Sequence, residues 1–548
     1  MNKKLIAALI LTCTIISSQA FACTGLLVGK KASVDGSVMI SYAADSHNLY
    51  GEMYRWPAAQ WPKGTVLDVY DWDSGKFLGQ IPQVAETYSV VGNMNEHQLA
   101  ITESTFGGRS ELEDSTGIID YGSLIYIALQ RAKTAREAIK VMTDLVAAHG
   151  YYSGGETFSI ADKNEAWVME MVGKGVGNKG AVWVAIRIPD DCISAHANQS
   201  RIQQIPFNDK ENCMYSPDVV SFARKKGYFS GKDEDFSFAK TYNPYDFGGL
   251  RACEARVWSF FRKYDNTMDQ YADFIKGDPT KEPMPLYIKP NRKLSVRDVQ
   301  NGMRDHFEGT DLDMTKDAGA GPYKVPYRWR PMNFTVDGEQ YLNERAIATQ
   351  QTAFVIVPQM RNWLPDPVGG ILWFGVDDAD MTLFNPVYCC AVETPLCYRV
   401  GNGDLYNFSW TSAFWIHNWV ANMAYHKYSF MIQDIRKVQD EIEGGYEKNL
   451  SLIEKKAVEL YNKNPKEAVD FLTQFSLSNA DQATALWKQL GEYLLVKYID
   501  GNVKKEENGR FKRNPYGLPA SPDFPGYDEE YYRSIVNSAG ERLKVRGN

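Results

Sequence analysis

The strongest constraint on this chain lies at its front. Lys3 and Lys4 precede a largely apolar run, residues 5–16, and residues 17–22 close with Ala20-Phe21-Ala22. A positive start, a short apolar stretch and an A-x-A ending are the marks of a secretory signal peptide. As a helix the run would be about 18 Å long, short of the ~30 Å hydrocarbon core of a bilayer. No later stretch approaches the ~18 consecutive apolar residues of a membrane-spanning helix. The sequence therefore predicts an exported protein without stable membrane insertion, cleaved after Ala22 and released to the periplasm or the exterior. The folding chain then starts at Cys23.

Export limits how such a chain can be held together. Beyond the leader lie Cys23, Cys192, Cys213, Cys253, Cys389, Cys390 and Cys397. An odd number of cysteines in an oxidising compartment leaves at least one thiol outside intramolecular disulfides, and the density is far below that of a disulfide scaffold. An apolar core must carry the fold, and the chain has the material for one, being 44% apolar and 13% aromatic. A formal charge of −8 without a basic stripe argues against nucleic acid as a partner.

Turn chemistry and periodicity sketch an α+β protein. Residues 23–28 and 37–44 flank Asp35-Gly36 as a hairpin. A second hairpin joins 89–91 to 98–102 across 93–96. A third joins 157–161 to 166–172 across 162–165, and 181–186 continues that sheet. Residues 121–149 read as helical, with Thr134 and Glu137 as a capping box and Gly150 as the stop. Further helices open at Ser216-Pro217, span 250–264 and start at Ser295. Strand character returns at 353–358, 370–374 and 388–392. From 412 to 498 the chain is helical, and the charged tail 504–527 reads as a surface wrap. Strands at both ends of a helical middle predict mixed sheets covered by helices. The main body is placed at 23–420 and a helical C-terminal extension at 421–548.

Several motifs mislead. Gly175-x-Gly177-x-x-Gly180 has the spacing of a dinucleotide loop, but there strand leads to strand, so it reads as a hairpin turn. Asp311, Asp313 and Asp317 lack the glycine and the glutamate of a calcium loop. They and Asp377-Asp378-x-Asp380 read as solvated acidic loops. The histidines show no ligand spacing.

Cys23 is the informative residue. A mature chain beginning with cysteine carries a thiol (pKa about 8.5) and a free α-amine (about 7.7–8.0) on one residue. The amine can take the thiol proton, which supplies nucleophile and general base together. Two alternatives stand beside this reading. Cysteine after a leader also marks lipid-anchored proteins, although Phe21 and the absence of a leucine three residues before Cys23 depart from that pattern. Cys23 can also be an ordinary cysteine.

The segment Cys23-Thr-Gly-Leu-Leu-Val-Gly-Lys-Lys-Ala-Ser-Val-Asp-Gly-Ser resembles the start of the C69 family of cysteine dipeptidases, which includes dipeptidase A and the secernins. Similar segments follow in order: Asn93-Met-Asn-Glu-His-Gln-Leu-Ala-Ile, Thr105-Phe-Gly-Gly-Arg109, Ser194-Ala-His-Ala-Asn-Gln-Ser-Arg-Ile, Arg251-Ala-Cys-Glu-Ala-Arg-Val-Trp and Glu308-Gly-Thr-Asp-Leu-Asp-Met-Thr. These enzymes are N-terminal nucleophile hydrolases related to penicillin V acylases and bile-salt hydrolases. The resemblance implies a four-layer αββα sandwich over 23–420 and hydrolysis of dipeptides or other short peptides, without metal or cofactor.

Site residues carry over position by position. Cys23 is the nucleophile. Asp45 matches the carboxylate that bonds the nucleophile's amine, and Asn198 the oxyanion-hole asparagine. Thr105 falls where a backbone N–H gives the second oxyanion donor. Arg256 matches the arginine beside the cysteine, with Arg251 as the alternative. Glu103, close to Thr105, is a candidate partner for a dipeptide's ammonium, or equally a structural ion pair. One position departs: many relatives carry arginine three residues before the aspartate, where this chain has Tyr42. The charge must then come from elsewhere, or the substrate differs. The expected function is an exported cysteine dipeptidase. An acylamide hydrolase of the same fold and a lipid-anchored surface binding protein are the alternatives, and a homo-oligomer is compatible with the sequence.

Overall fold

The computed structural model describes residues 23–545, so the leader reading for 1–22 lies outside the described residues. Among the described residues, tight turns set consecutive strands side by side in two eight-stranded antiparallel sheets. The first runs in the order Tyr287–Ile288, Ile193–His196, Gly25–Val28, Val38–Ile40, Thr352–Met360, Ile371–Val376 and Asn385–Tyr388, with Tyr42–Asp45 also pairing to Thr352–Met360. The second runs Cys213–Tyr215, Ala181–Ile188, Ala166–Gly173, Gly155–Ala161, Ala100–Gly107, Met94–Asn95, Val90–Val91 and Arg55–Trp56.

The expected N-terminal hairpin is present, with Leu27 opposite Ile40 and Val28 opposite Met39. The second expected hairpin is instead a meander. Gly92 (φ +53°) turns the chain early, so Val91 pairs with Met94 and Met94 with Ala100. The third continues in register into Ala181–Ile188, and the glycines 175, 177 and 180 lie in the turn before that strand.

Period-two alternation sorts the buried strands. In Ala166–Gly173, Val168 and Val172 join Leu27, Val38 and Ile40 of the first sheet in one core. Trp167, Met169 and Met171 join Leu124, Ile139 and Met142 on helices in another. Leu26, Met39 and Val355, on the other face of the first sheet, pack with Val257, Phe260, Val299 and Met303. Each such side chain, fully buried, contributes about 1.5–3 kcal/mol.

The helical stretch 121–149 is two helices. Asp120 caps Tyr121–Arg131, and Thr134 caps Ala135–His149 by accepting from the Glu137 amide at 3.3 Å. The capping box is half made, since Glu137 accepts from the Lys133 amide rather than that of Thr134. Gly150 (φ +81°) ends the helix. No helix among the described residues is long and apolar enough to cross a membrane.

Helices Ala413–Tyr425, Tyr428–Lys463 and Pro465–Tyr498 form the C-terminal part, and residue 420 falls inside the first of them. They pack on the edge strand Asn385–Tyr388. The Phe384 amide donates to Glu443 Oε1 at 2.9 Å and the Tyr388 amide to Ser476 Oγ at 3.1 Å. These bonds close an edge that would otherwise template further strand pairing.

Two sequence expectations are corrected. The strand placed at 388–392 is Asn385–Tyr388. Pro386 is tolerated because an edge strand has amides with no ladder partner to lose. Asp377, Asp378 and Asp380 are buried, not solvated. Tyr327 and Tyr425 donate to Asp378 at 2.8 Å, Asn418 donates to Asp377 at 2.9 Å, and Arg436 pairs with Asp380. The acids pin the C-terminal helices to the sheet. The seven cysteines of the described residues are free.

Candidate active site

Cys23 lies two residues before strand Gly25–Val28, and the bridge between Thr24 and Ala43 ties this segment to strand Tyr42–Asp45. A Cβ at position 25 would lie 2.6 Å from the His196 ring, so only glycine lets that ring pack against the start of the strand. Cys23 is 3% exposed. Its Sγ lies 3.5 Å from Glu103 Oε1 and 3.7 Å from Tyr42 Oη, and Tyr42 donates to the same carboxylate oxygen at 2.5 Å. Burial pushes the thiol well above its ordinary range, and the charges of Glu103 and Asp45 add to the rise. The sulfur is therefore a neutral thiol, and attack needs a base to take its proton.

Arg256 organises the surroundings. Its Nη1 donates to Cys23 O at 2.7 Å and Thr24 Oγ1 at 2.8 Å, and its Nη2 to Asn198 Oδ1 at 2.8 Å and Ala197 O at 3.1 Å. It grips the backbone of the cysteine and the amide of Asn198, not the sulfur. Arg251 turns elsewhere, its Nε donating to Glu344 Oε2 at 3.0 Å. Arg251 sits in a π-helical turn, Gly249–Glu254, and Arg256 in the α-helix Ala255–Arg262 that follows, and only Arg256 reaches the end of the cysteine's strand.

Asn198 (φ +61°) follows strand Ile193–His196. Its Nδ2 donates to Thr105 O at 2.7 Å. Thr105 thus accepts at the site through its carbonyl. Asp45 is fully buried at the end of Tyr42–Asp45. It accepts from Thr352 Oγ1 at 2.6 Å and pairs with Arg345. Burial raises its carboxyl while Arg345 and Thr352 oppose the rise.

Glu103 is 1% exposed, and its Oε2 has no hydrogen-bond donor. In the strand register Thr105 faces Glu156, which makes Glu103 and Glu156 diagonal neighbours. Burial pushes Glu103 up to about 7. It raises Glu156 further, with the Glu103 charge as the next cause. Like charges so placed cannot both ionise near neutral pH. Glu103 also lines a cleft walled mainly by aromatic rings, including Tyr42, Trp72, Tyr121 and Phe354.

Sequence reasoning missed a second layer. Ser104 Oγ lies 2.6 Å from His196 Nδ1, and His196 Nε2 lies 2.7 Å from Ser159 Oγ. Burial and the charges of Arg201 and Arg256 lower His196 to about 3, so the ring is neutral, donating to one serine and accepting from the other. The Asn198 amide donates to Ser104 Oγ at 3.4 Å, which links the loop to this relay. The alternation Ser194, His196, Asn198 was the available signal: polar groups two apart in a buried strand share a face. Arg345, Thr352 and Glu156 left no comparable trace.

The model of peptidase family C69 matches residues 22–53 and 49–441. The chain is 28% identical over 474 residues to a probable dipeptidase of Latilactobacillus sakei, covering 82% of this chain and 90% of that protein. It is 26% identical over 392 residues to a probable dipeptidase of Salmonella dublin, covering 68% and 81%. To a probable dipeptidase B of Lactococcus lactis subsp. lactis it is 25% identical over 478 residues, covering 82% and 92%.

Proposed function

The chain belongs to peptidase family C69, and on that premise we propose that it is an exported cysteine dipeptidase acting through Cys23 as the first residue of the mature chain. One arrangement carries this reading. The sulfur lies 3.5 Å from Glu103, a buried carboxylate that lines an aromatic cleft, and Arg256 ties the cysteine's carbonyl to the Asn198 side-chain amide. Two antiparallel sheets packed face to face, with helices on their outer faces, support an αββα N-terminal nucleophile hydrolase sandwich.

These groups support an N-terminal nucleophile mechanism. The α-amine of Cys23, with a pKa of about 7.7–8.0, takes the proton of the neutral thiol. The thiolate attacks the scissile carbonyl. Asn198, held by Arg256, and a backbone donor near Thr105 stabilise the oxyanion. The protonated amine then protonates the leaving amino acid. Water activated by the same amine hydrolyses the thioester. Asp45, fixed by Thr352 and Arg345, provides the carboxylate beside the amine. Glu103 accepts the substrate's ammonium, whose charge compensates a carboxylate that burial disfavours.

The aromatic lining also suits an aryl-acyl group, which is the observation favouring an N-acyl amide hydrolase of the same fold. A blocked substrate leaves Glu103 without a cation, so comparing free with N-acetylated dipeptides separates the two. A lipid-anchored binding protein is disfavoured by the burial of Cys23, since a lipid on its sulfur would have to leave the folded core to reach a membrane. The decisive test is N-terminal and intact-mass analysis of the exported protein together with a dipeptide assay. A bare Cys23 terminus and complete loss of turnover in Cys23→Ala are expected. A different terminus, an acylated cysteine or an active Cys23→Ala enzyme overturns the proposal.

A further inference from the structure

The cleft lined by Glu103 and Tyr42, the two residues against the Cys23 sulfur, has a composition that the reaction alone does not require. Trp56 stacks on Tyr126 at 4.9 Å with an interplanar angle of 6°, and Tyr54 meets Trp72 edge-on at 5.0 Å. Opposite them, Tyr42 meets Phe354 at 5.6 Å, and Phe354 stacks on Phe374 at 5.8 Å. Two ring assemblies therefore wall one cleft. Its carboxylates are Glu103, beside the sulfur, and Glu52, which accepts from Tyr54 Oη at 3.0 Å.

The occupant follows from the tetrahedral carbon of the substrate's first residue. That carbon bears the ammonium, the scissile carbonyl and the side chain. With the carbonyl on Cys23 Sγ and the ammonium on Glu103, 3.5 Å away, two of its directions are used. The side chain is the remaining heavy substituent, and the cleft that Glu103 itself lines is the space beside it. We propose that this cleft is the pocket for the N-terminal side chain of the substrate and that it selects dipeptides beginning with an aromatic or large aliphatic residue. This rests on the dipeptidase reading above.

The physical basis is twofold. Rings at 4.5–7 Å separation accept a further ring in stacked or edge-to-face contact. A small first side chain leaves apolar walls wet, and an acidic one meets Glu52 and Glu103. Hydrophobic pockets discriminate by about 10–200-fold per methylene.

The test uses the mature full-length enzyme and a panel of Phe-Ala, Leu-Ala, Ala-Ala and Asp-Ala, with Ala-Phe to separate the two positions. Phe-Ala is expected to exceed Ala-Ala by about 100-fold or more in kcat/KM, with Asp-Ala lowest and Ala-Phe close to Ala-Ala. Ile125, a cleft residue on helix Tyr121–Arg131, locates the effect. Ile125→Trp is expected to reduce the Phe-Ala to Ala-Ala ratio by about tenfold. Trp56→Ala, which removes a wall instead of filling the space, is expected to move the same ratio if Ile125→Trp does not fold. Rates that ignore the first side chain, or that follow the second, overturn this inference and leave the dipeptidase reading standing. Cleavage of none of the panel overturns the dipeptidase reading itself.

Discussion

Arg256→Lys tests how the site is held together. Arg256 makes five hydrogen bonds from a fully buried position: Nε to Ala252 O at 2.8 Å, two from Nη1 to Cys23 and Thr24, and two from Nη2 to Ala197 and Asn198. Burial and the like charge of Arg345 lower its pKa to about 10, so it stays charged at neutral pH. Lysine keeps the charge but offers three donors from one point, which cannot reproduce a planar fork. At least two acceptors then lose their partner. Each buried acceptor left unpaired costs about 1–3 kcal/mol, so the substitution costs roughly 2–6 kcal/mol, divided between the fold and the transition state. If about 2–3 kcal/mol falls on the oxyanion, kcat drops by roughly 30–150-fold. The assay is steady-state dipeptide hydrolysis by the mature enzyme alongside thermal unfolding. We expect kcat to fall by that amount with KM within about threefold, because the lost contacts hold Asn198 and the cysteine rather than the substrate. In an Asn198→Ala background the same change should add little further loss, since both act on one oxyanion. Wild-type kcat in Arg256→Lys, or losses that simply add in the double variant, would refute the reasoning.

Three further outcomes are expected. Glu103, pushed up to about 7, must be ionised to receive an ammonium, so dipeptide affinity should fall as pH drops through 7, by up to about tenfold per unit. Glu103→Gln should flatten that limb of the pH–KM profile for free dipeptides and leave N-acetylated ones unaffected; equal effects on both refute the ammonium role. Ser104→Ala breaks the link between the Asn198 amide and His196, and should lower kcat by roughly 3–10-fold with little change in KM. A KM effect without a kcat effect counts against that link. Glu443→Gln leaves Arg297 and Arg304 around a neutral buried amide, and should destabilise the protein by about 3–5 kcal/mol in urea unfolding. A change below ~1 kcal/mol would mean that these pairs do not anchor the C-terminal helices.

What the sequence determined by itself was local. The hairpin at 162–165, the Ser295 cap and the break after Gly150 depend on residues a few positions apart, and each is found where the sequence puts it. Cys23 heading the first strand was legible for the same reason, and Asn198 only through the resemblance of its segment to the family. Tertiary structure decided the rest. Arg345 meets Asp45 across 300 residues, and no pattern in either segment announces the other. The choice between Arg256 and Arg251 depended on helix phase relative to a strand that neither residue encodes. Asp377, Asp378 and Asp380 look like any exposed acidic turn until the tyrosines and Arg436 of distant segments close over them. Glu156 became part of the site only through the register that sets it diagonal to Glu103. Local propensity acts through neighbours in the chain, whereas desolvation and ion pairing act through neighbours in space. Only the folded chain brings those together.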